Sequence, residues 1–151
     1  MKRHWTEYTE QWTHGPMTYW VHVESVPGKF DPPAPASVSG KGYPVYYVEV
    51  DGFTFQFASL DEMRGCIDVL GKKLLPNTIR LAQQRGGDPS EHWLRKMPNE
   101  TKPWRHREKT VKYLEKAMRS LSVKVFRENQ LPRSREWRCY PVRGSSYGPS
   151  Q

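Results

Sequence analysis

The feature that most constrains this fold is the dipeptide Asp51-Gly52, which lies between two segments rich in β-branched and aromatic residues. Asp-Gly in this setting predicts a two-residue β hairpin, because both turn positions require a positive φ. The turn also sets the register, and therefore three cross-strand pairs on one face of the sheet. These pairs are Val50 with Phe53, Val48 with Phe55, and Tyr46 with Phe57. We expect that face to form the core, and the more polar opposite face to meet solvent or a partner.

The segments before the hairpin predict a third strand and a long loop. Residues 17–26 alternate between apolar and polar side chains, which is the pattern of a half-buried strand. Residues 27–44 hold five prolines and three glycines without periodicity, and predict a mobile loop. Residues 1–16 carry three aromatic rings at spacings of three and four, which predict one side of a short helix docked onto the domain. These rings are Trp5, Tyr8 and Trp12.

After the hairpin the apolar periodicity changes to that of helices. Ser59 and Glu62 form a capping box at a helix start, and Gly71 is well placed as the C-terminal cap. A short helix is expected over residues 77–85. The longest helix follows these elements and has an apolar stripe at spacings of three and four, which Arg107 interrupts. The stripe consists of Trp104, Val111, Leu114, Met118, Leu121 and Val125.

The order of these elements predicts an α+β fold. One strand and the Asp-Gly hairpin would form a three-stranded antiparallel sheet, packed by two or three helices. We expect an N-terminal segment over residues 1–16 and a single domain over residues 17–130. Residues 131–151 are rich in Arg, Ser, Gly and Pro, and predict a flexible, disordered basic tail.

The surroundings of the protein are expected to be cytoplasmic. No apolar run approaches the ~20 residues that span a bilayer, and no signal peptide is expected. We therefore expect no membrane partner. Cys66 and Cys139 lack the paired spacing of zinc sites and disulfide frameworks. This cysteine usage favours a reducing compartment.

The charge of the chain is distributed unevenly. Residues 1–62 carry four basic and eight acidic residues, whereas residues 63–151 carry 20 basic and eight acidic ones. Such asymmetry predicts that the second half meets a polyanion, most often nucleic acid. On the longest predicted helix, five basic residues at spacings of 4, 3, 4 and 3 form a ridge of one sign, where a solvated face usually mixes signs. This basic ridge consists of Arg105, Lys109, Lys112, Lys116 and Arg119.

Basic residues interleaved with tryptophans flank the basic ridge. This composition suits phosphate contact together with stacking on unpaired bases. The further candidates upstream of the ridge are Trp93, Arg95, Lys96 and Lys102. Those in the tail are Arg133, Arg135, Trp137 and Arg138. Trp104 lies in the same stretch, but it continues the apolar stripe and is expected in the core.

Sequence motifs for catalysis are weak or missing. Residues 65–73 are only superficially similar to a phosphate-binding loop, because the spacing is one residue too long and Lys73 stands where Ser or Thr is needed. The five histidines have no metal-binding spacing, so neither a metal nor a cofactor is expected. We therefore expect no enzymatic activity.

The sequence thus predicts a non-enzymatic protein that binds DNA or RNA, contacting phosphates through the basic ridge and the Arg-rich tail. The alternative is a small adaptor or inhibitor that binds a protein component of a nucleoprotein complex. In that case the acidic first half would meet basic residues of the partner protein.

Overall fold

The described part of the chain combines antiparallel sheets with helices, as an α+β fold requires. The computed structural model describes residues 1–13, 23–31, 33–85 and 93–130. Its strands are β1 (Lys2–Thr9), β2 (Val23–Val26), β3 (Lys29–Asp31), β4 (Tyr43–Val50) and β5 (Phe53–Phe57). Its helices are α1 (Leu60–Leu70), α2 (Thr78–Arg85), α3 (Trp93–Lys96) and α4 (Trp104–Gln130), with a 3₁₀ turn at Asn99–Thr101. β1, β4 and β5 form a three-stranded sheet in the order β1-β4-β5, and β2 pairs with β3 in a separate sheet.

β4 and β5 form a hairpin across a two-residue turn. Asp51 and Gly52 have φ angles of 49° and 87°, so both turn residues lie in the left-handed region. The observed register joins the three pairs that such a turn specifies, beginning with Val50 opposite Phe53. On this inner face every side chain of the three pairs except Phe53 is buried. The hairpin therefore supplies most of the sheet's contribution to the core.

The third strand of the main sheet is β1, and the predicted helix at Trp5 and Tyr8 is wrong. β1 pairs antiparallel with β4 along its whole length. Ring spacings of three and four fit a short helix, but hydrogen bonding to the central strand β4 and cross-strand contacts along all eight residues decide the conformation. In the strand, Trp5 and Tyr8 point to opposite faces of the sheet.

The prediction that residues 17–26 supply the third strand is also wrong. Residues 17–22 lie outside the described residues, and β2 pairs with β3 in the separate two-stranded sheet. Pro27-Gly28 forms a turn between them, with a φ of 78° at the glycine. A local hairpin of this kind is closed at a smaller entropic cost than a long connection into the main sheet. The segment 27–44, predicted as a loop without structure, therefore contains β3 and the first residues of β4.

α1 and α4 cover the inner face of the main sheet. Ser59 caps α1 by accepting a hydrogen bond from the backbone N–H of Glu62 at 3.1 Å, and the N–H of Gly71 donates to the Ile67 carbonyl at the other end. Both helices share one core cluster with β4, β5 and α3. Within the described residues, no helix is long and apolar enough to cross a membrane.

The buried side of α4 differs from the predicted apolar stripe by a small rotation about the helix axis. The buried positions are Arg107, Thr110, Leu114, Ala117 and Leu121. Trp104, expected in the core, is 37% exposed, whereas Arg107, which interrupts the stripe, is only 3% exposed. The reason is that α4 meets the C-terminal end of α1 at this point, and backbone carbonyls there bind a guanidinium rather than an indole.

Candidate nucleic-acid interface

The five residues of the basic ridge lie together on α4. All five side chains are exposed, on the side of the helix opposite Leu114 and the other buried positions. At 1.5 Å per residue the ridge is about 21 Å long. Lys112 forms an exposed ion pair with Glu108, one turn away, at 3.2 Å. The structure therefore brings the predicted ridge residues into one row, with one of the cations partly neutralised.

β1 adds another lysine to this surface. An open depression of about 270 Å³ is lined by Lys2, Tyr113 and three lysines of the basic ridge, Lys109, Lys112 and Lys116. The Lys2 ammonium lies 5.9 Å from the centroid of the Tyr113 ring, within the range of a cation–π contact. The ring nitrogens of His4 hydrogen-bond to the Tyr113 hydroxyl at 3.1 Å and to the Ser120 hydroxyl at 3.2 Å, which holds β1 against α4. Sequence reasoning missed Lys2 because it treated residues 1–16 as a helical segment.

Arg107 joins the start of α4 to the end of α1. Its guanidinium donates four hydrogen bonds, all to backbone carbonyls. The acceptors are Leu70 at 2.8 Å, Lys72 at 2.6 Å, Lys73 at 2.9 Å and Lys102 at 2.6 Å. Carbonyls at the C-terminal end of a helix lack intrahelical donors and carry negative partial charge, so they compensate a buried cation. Burial lowers the pKa of Arg107, but a guanidinium stays protonated in proteins.

Of the two tryptophans near the ridge, Trp93 is expected from the sequence to be available for stacking and Trp104 to lie in the core, and the structure shows the reverse. Trp93 is 4% exposed and belongs to the core cluster, so its ring cannot stack on a base. Trp104 lies in the first turn of α4 and is exposed, with the Arg107 guanidinium 5.2 Å from its ring centroid. Helical spacing does not distinguish the middle of a buried stripe from its edge, which explains Trp104. The basic neighbours of Trp93 in the sequence do not show that α3 buries its ring against the core.

The remaining candidates are partly described. Arg95 and Lys96 are exposed on α3. Lys102 is half-buried, and its ammonium donates to the Asn99 side-chain carbonyl at 2.9 Å. The tail candidates lie outside the described residues; they are Arg133, Arg135, Trp137 and Arg138.

The outer face of the main sheet has a different character. Trp5 and Tyr47 face each other across β1 and β4, and their rings stack 5.2 Å apart at an interplanar angle of 7°. Arg3 lies over the Trp5 ring at 4.9 Å and forms an ion pair with Glu49. The Trp5 indole N–H donates to Glu7 at 2.8 Å. Charges of both signs are thus paired around an aromatic centre, in contrast to the basic ridge.

The described residues contain no group of three or more His, Cys, Asp or Glu side chains arranged to hold a metal ion. Comparison of the chain with protein-family models, with curated proteins and with solved structures found no match.

Proposed function

We propose that the protein binds nucleic acid through the basic ridge of α4, assisted by Lys2. The observation that carries this proposal is the convergence of four lysines on one open depression, in line with the two arginines at the ends of the ridge. Like charges one turn apart destabilise a helix by about 0.2–0.5 kcal/mol per pair. A phosphate backbone would compensate that repulsion and release its own counterions on binding.

The residue types of the ridge favour contact with phosphates over contact with base edges. Three of its five members are lysines, which bind phosphate as compact point charges. Reading a base edge typically uses bidentate side chains such as Arg on guanine or Asn and Gln on adenine. Of these, the ridge contains only the two arginines at its ends. We therefore infer that the ridge positions the protein on DNA or RNA with little dependence on sequence.

Replacing the three ridge lysines tests this proposal. The variant combines Lys109→Gln, Lys112→Gln and Lys116→Gln, and binding to labelled oligonucleotides is measured by fluorescence anisotropy in about 0.1 M salt. Loss of two to three phosphate contacts is expected to weaken binding roughly 100-fold. The melting temperature should stay nearly unchanged, because all three side chains are exposed.

A matched variant controls for net charge. Lys29→Gln, Lys41→Gln and Arg64→Gln remove the same charge from exposed residues outside the ridge. This control should bind nucleic acid almost as the natural chain does. Equal losses of affinity in both variants would show that the effect comes from the net positive charge of the protein and not from the ridge. A natural chain that binds neither DNA nor RNA at physiological salt would contradict the proposal.

A second candidate function is binding to a protein component of a nucleoprotein complex. The stacked Trp5 and Tyr47 on the outer sheet face favour it, because aromatic residues are enriched at protein interfaces. The test is a pull-down from native cells, with and without nuclease. A stoichiometric partner protein that resists nuclease, and that Trp5→Ala releases, would support this function over the first.

A further inference from the structure

The start of α4 presents an aromatic ring at one end of the basic ridge. Trp104 immediately precedes Arg105, the first ridge residue, and more than a third of its surface is exposed. Exposing a large ring forgoes part of the free energy that its burial would contribute. The opposite arrangement holds at Trp93, which is packed into the core a short distance upstream.

The ring of Trp104 is held against a fixed group. The Arg107 guanidinium that lies over it is buried and anchored by four hydrogen bonds to backbone carbonyls. A cation–π contact with an immobile cation restricts the indole without covering it completely. The ring is therefore preorganised, so less side-chain entropy is lost when a ligand contacts it.

The same anchor brings the backbone of several basic residues to the start of α4. Because Arg107 binds the carbonyls of Lys72, Lys73 and Lys102, the backbone at these three lysines meets the start of α4. The side chains of Lys72 and Lys73 are exposed. We call these two lysines and the basic neighbours of Trp104 in the sequence the basic collar, defined as Lys72, Lys73, Lys102 and Arg105. Glu108, one turn along α4 from Trp104, is paired with Lys112.

We propose that Trp104 is a stacking platform for an unpaired nucleobase, with the basic collar binding the phosphates on either side of that base. This inference rests on the proposed function and specifies its ligand as single-stranded nucleic acid. In a duplex both faces of each internal base are already stacked, so only an unpaired base can use the ring. An indole and a base then contribute about 1–3 kcal/mol per stack.

The test compares three ligands of equal length, about 20 nucleotides. They are an oligothymidylate, a fully abasic strand with the same phosphates, and a duplex. An oligouridylate of the same length is measured in addition, to compare RNA with DNA. The natural chain should prefer the oligothymidylate over the abasic strand. Trp104→Ala should weaken binding to the oligothymidylate by about 5- to 150-fold, the equivalent of one stack. It should change duplex binding by less than about twofold and abolish the preference over the abasic strand.

Two further variants separate stacking from folding and from general apolar contact. Trp104→Phe keeps an aromatic face and should retain most of the single-strand affinity. Leu74→Ala removes an exposed aliphatic side chain next to the basic collar and should change neither affinity. Trp104→Phe and Leu74→Ala should keep the melting temperature within a few degrees of the natural chain. Trp104→Ala removes a ring that is mostly buried and should melt lower, so its affinities are measured well below its own melting temperature.

The outcomes distinguish this inference from the proposed function. Suppose that the ridge variant loses affinity. If Trp104→Ala then keeps its affinity, or loses equal affinity for the single strand and the duplex, the stacking platform is refuted while the phosphate-binding ridge stands. If the natural chain binds the abasic strand as well as the oligothymidylate, the platform is likewise refuted. If the ridge variant binds every ligand normally, the proposed function fails.

Discussion

Arg107 carries a positive charge into the contact between α1 and α4, where backbone carbonyls are its hydrogen-bond partners. Arg107→Met keeps the volume and removes the donors, so the carbonyls are left without partners in a buried site. We expect the free energy of unfolding in urea to fall by at least about 1–3 kcal/mol, the cost of one buried acceptor left without a donor. Arg107→Lys should recover only part of the lost stability, because an ammonium lacks the planar set of N–H donors of a guanidinium.

The neighbouring Arg105 provides the control for that measurement. Its side chain is exposed, so Arg105→Met is expected to change the free energy of unfolding by less than about 0.5 kcal/mol. Similar effects at positions 105 and 107 would contradict a structural role for the buried guanidinium.

Glu62 is a buried carboxyl group, with 2% of its surface exposed. One carboxyl oxygen accepts the Ala58 N–H, while the other has no partner among the described residues. Burial raises the pKa of Glu62 from 4.5 to about 8, and the hydrogen bond from Ala58 opposes this shift. Between these two pH values the unfolded chain is ionised while the folded chain still holds the proton.

The stability of the protein should therefore fall as pH rises from about 5 to about 8. The slope of the free energy of unfolding approaches about −1.4 kcal/mol per pH unit for this one group. Glu62→Gln removes the titrating proton, so its unfolding free energy should vary less over the same range. Urea unfolding of the natural protein and of Glu62→Gln across this pH range measures the difference in slope. Parallel pH profiles of the two proteins would show that Glu62 is not the group responsible.

At the scale of elements, the hairpin of β4 and β5 depends on its turn. A Cβ at Gly52 would meet no atom within 4 Å, so the effect of a substitution there comes from the positive φ alone. Gly52→Val should lower stability by about 1–3 kcal/mol, since a β-branched residue resists this conformation. Thr54→Val, on the exposed outer face of β5, should cost little. Equal losses of melting temperature would show that the turn does not determine the stability of the hairpin.

The elements that could be predicted from the sequence have local causes. A two-residue turn determines the pairing of β4 with β5, and a capping box lies at the start of α1. β1 has no such local cause. Its conformation comes from pairing with β4, which is distant along the chain, while the spacing of Trp5 and Tyr8 suits a helix as well. The sequence does not predict the pairing of β2 with β3, because Pro27-Gly28 opens a segment rich in proline and glycine that is typical of a loop.

The candidate site likewise contains residues that local sequence spacing predicts and residues that only the tertiary structure brings together. Helical spacing alone brings the five ridge residues onto one face, so the sequence was sufficient to locate the ridge. The partners of Arg107 come from the end of α1 and the position of Lys2 comes from β1, and neither is visible in the spacing of α4. Trp104 lies outside the buried side of α4, because the contact with α1 buries Arg107 and Thr110 at this end of the helix.

At the scale of the whole molecule, the two surfaces differ in charge. The basic ridge and Lys2 carry one sign, and the neighbouring Glu108 is paired with Lys112. The outer sheet face carries Arg3 together with two acidic residues, Glu7 and Glu49, and Arg3 is paired with Glu49. The chain as a whole carries a net charge of +8, so general attraction to nucleic acid is expected from any face. The central claim is that the attraction is concentrated on the ridge.

The salt dependence of binding tests that claim most directly. The logarithm of the association constant should fall linearly with the logarithm of salt concentration, by about 0.7 per phosphate contact on single strands and 0.9 on duplex. In the variant Lys109→Gln, Lys112→Gln and Lys116→Gln, the slope should be shallower by roughly two to three units, with an unchanged melting temperature. A ridge variant that retains the slope of the natural chain on both DNA and RNA would contradict the account and identify the ridge as a solvated helix face.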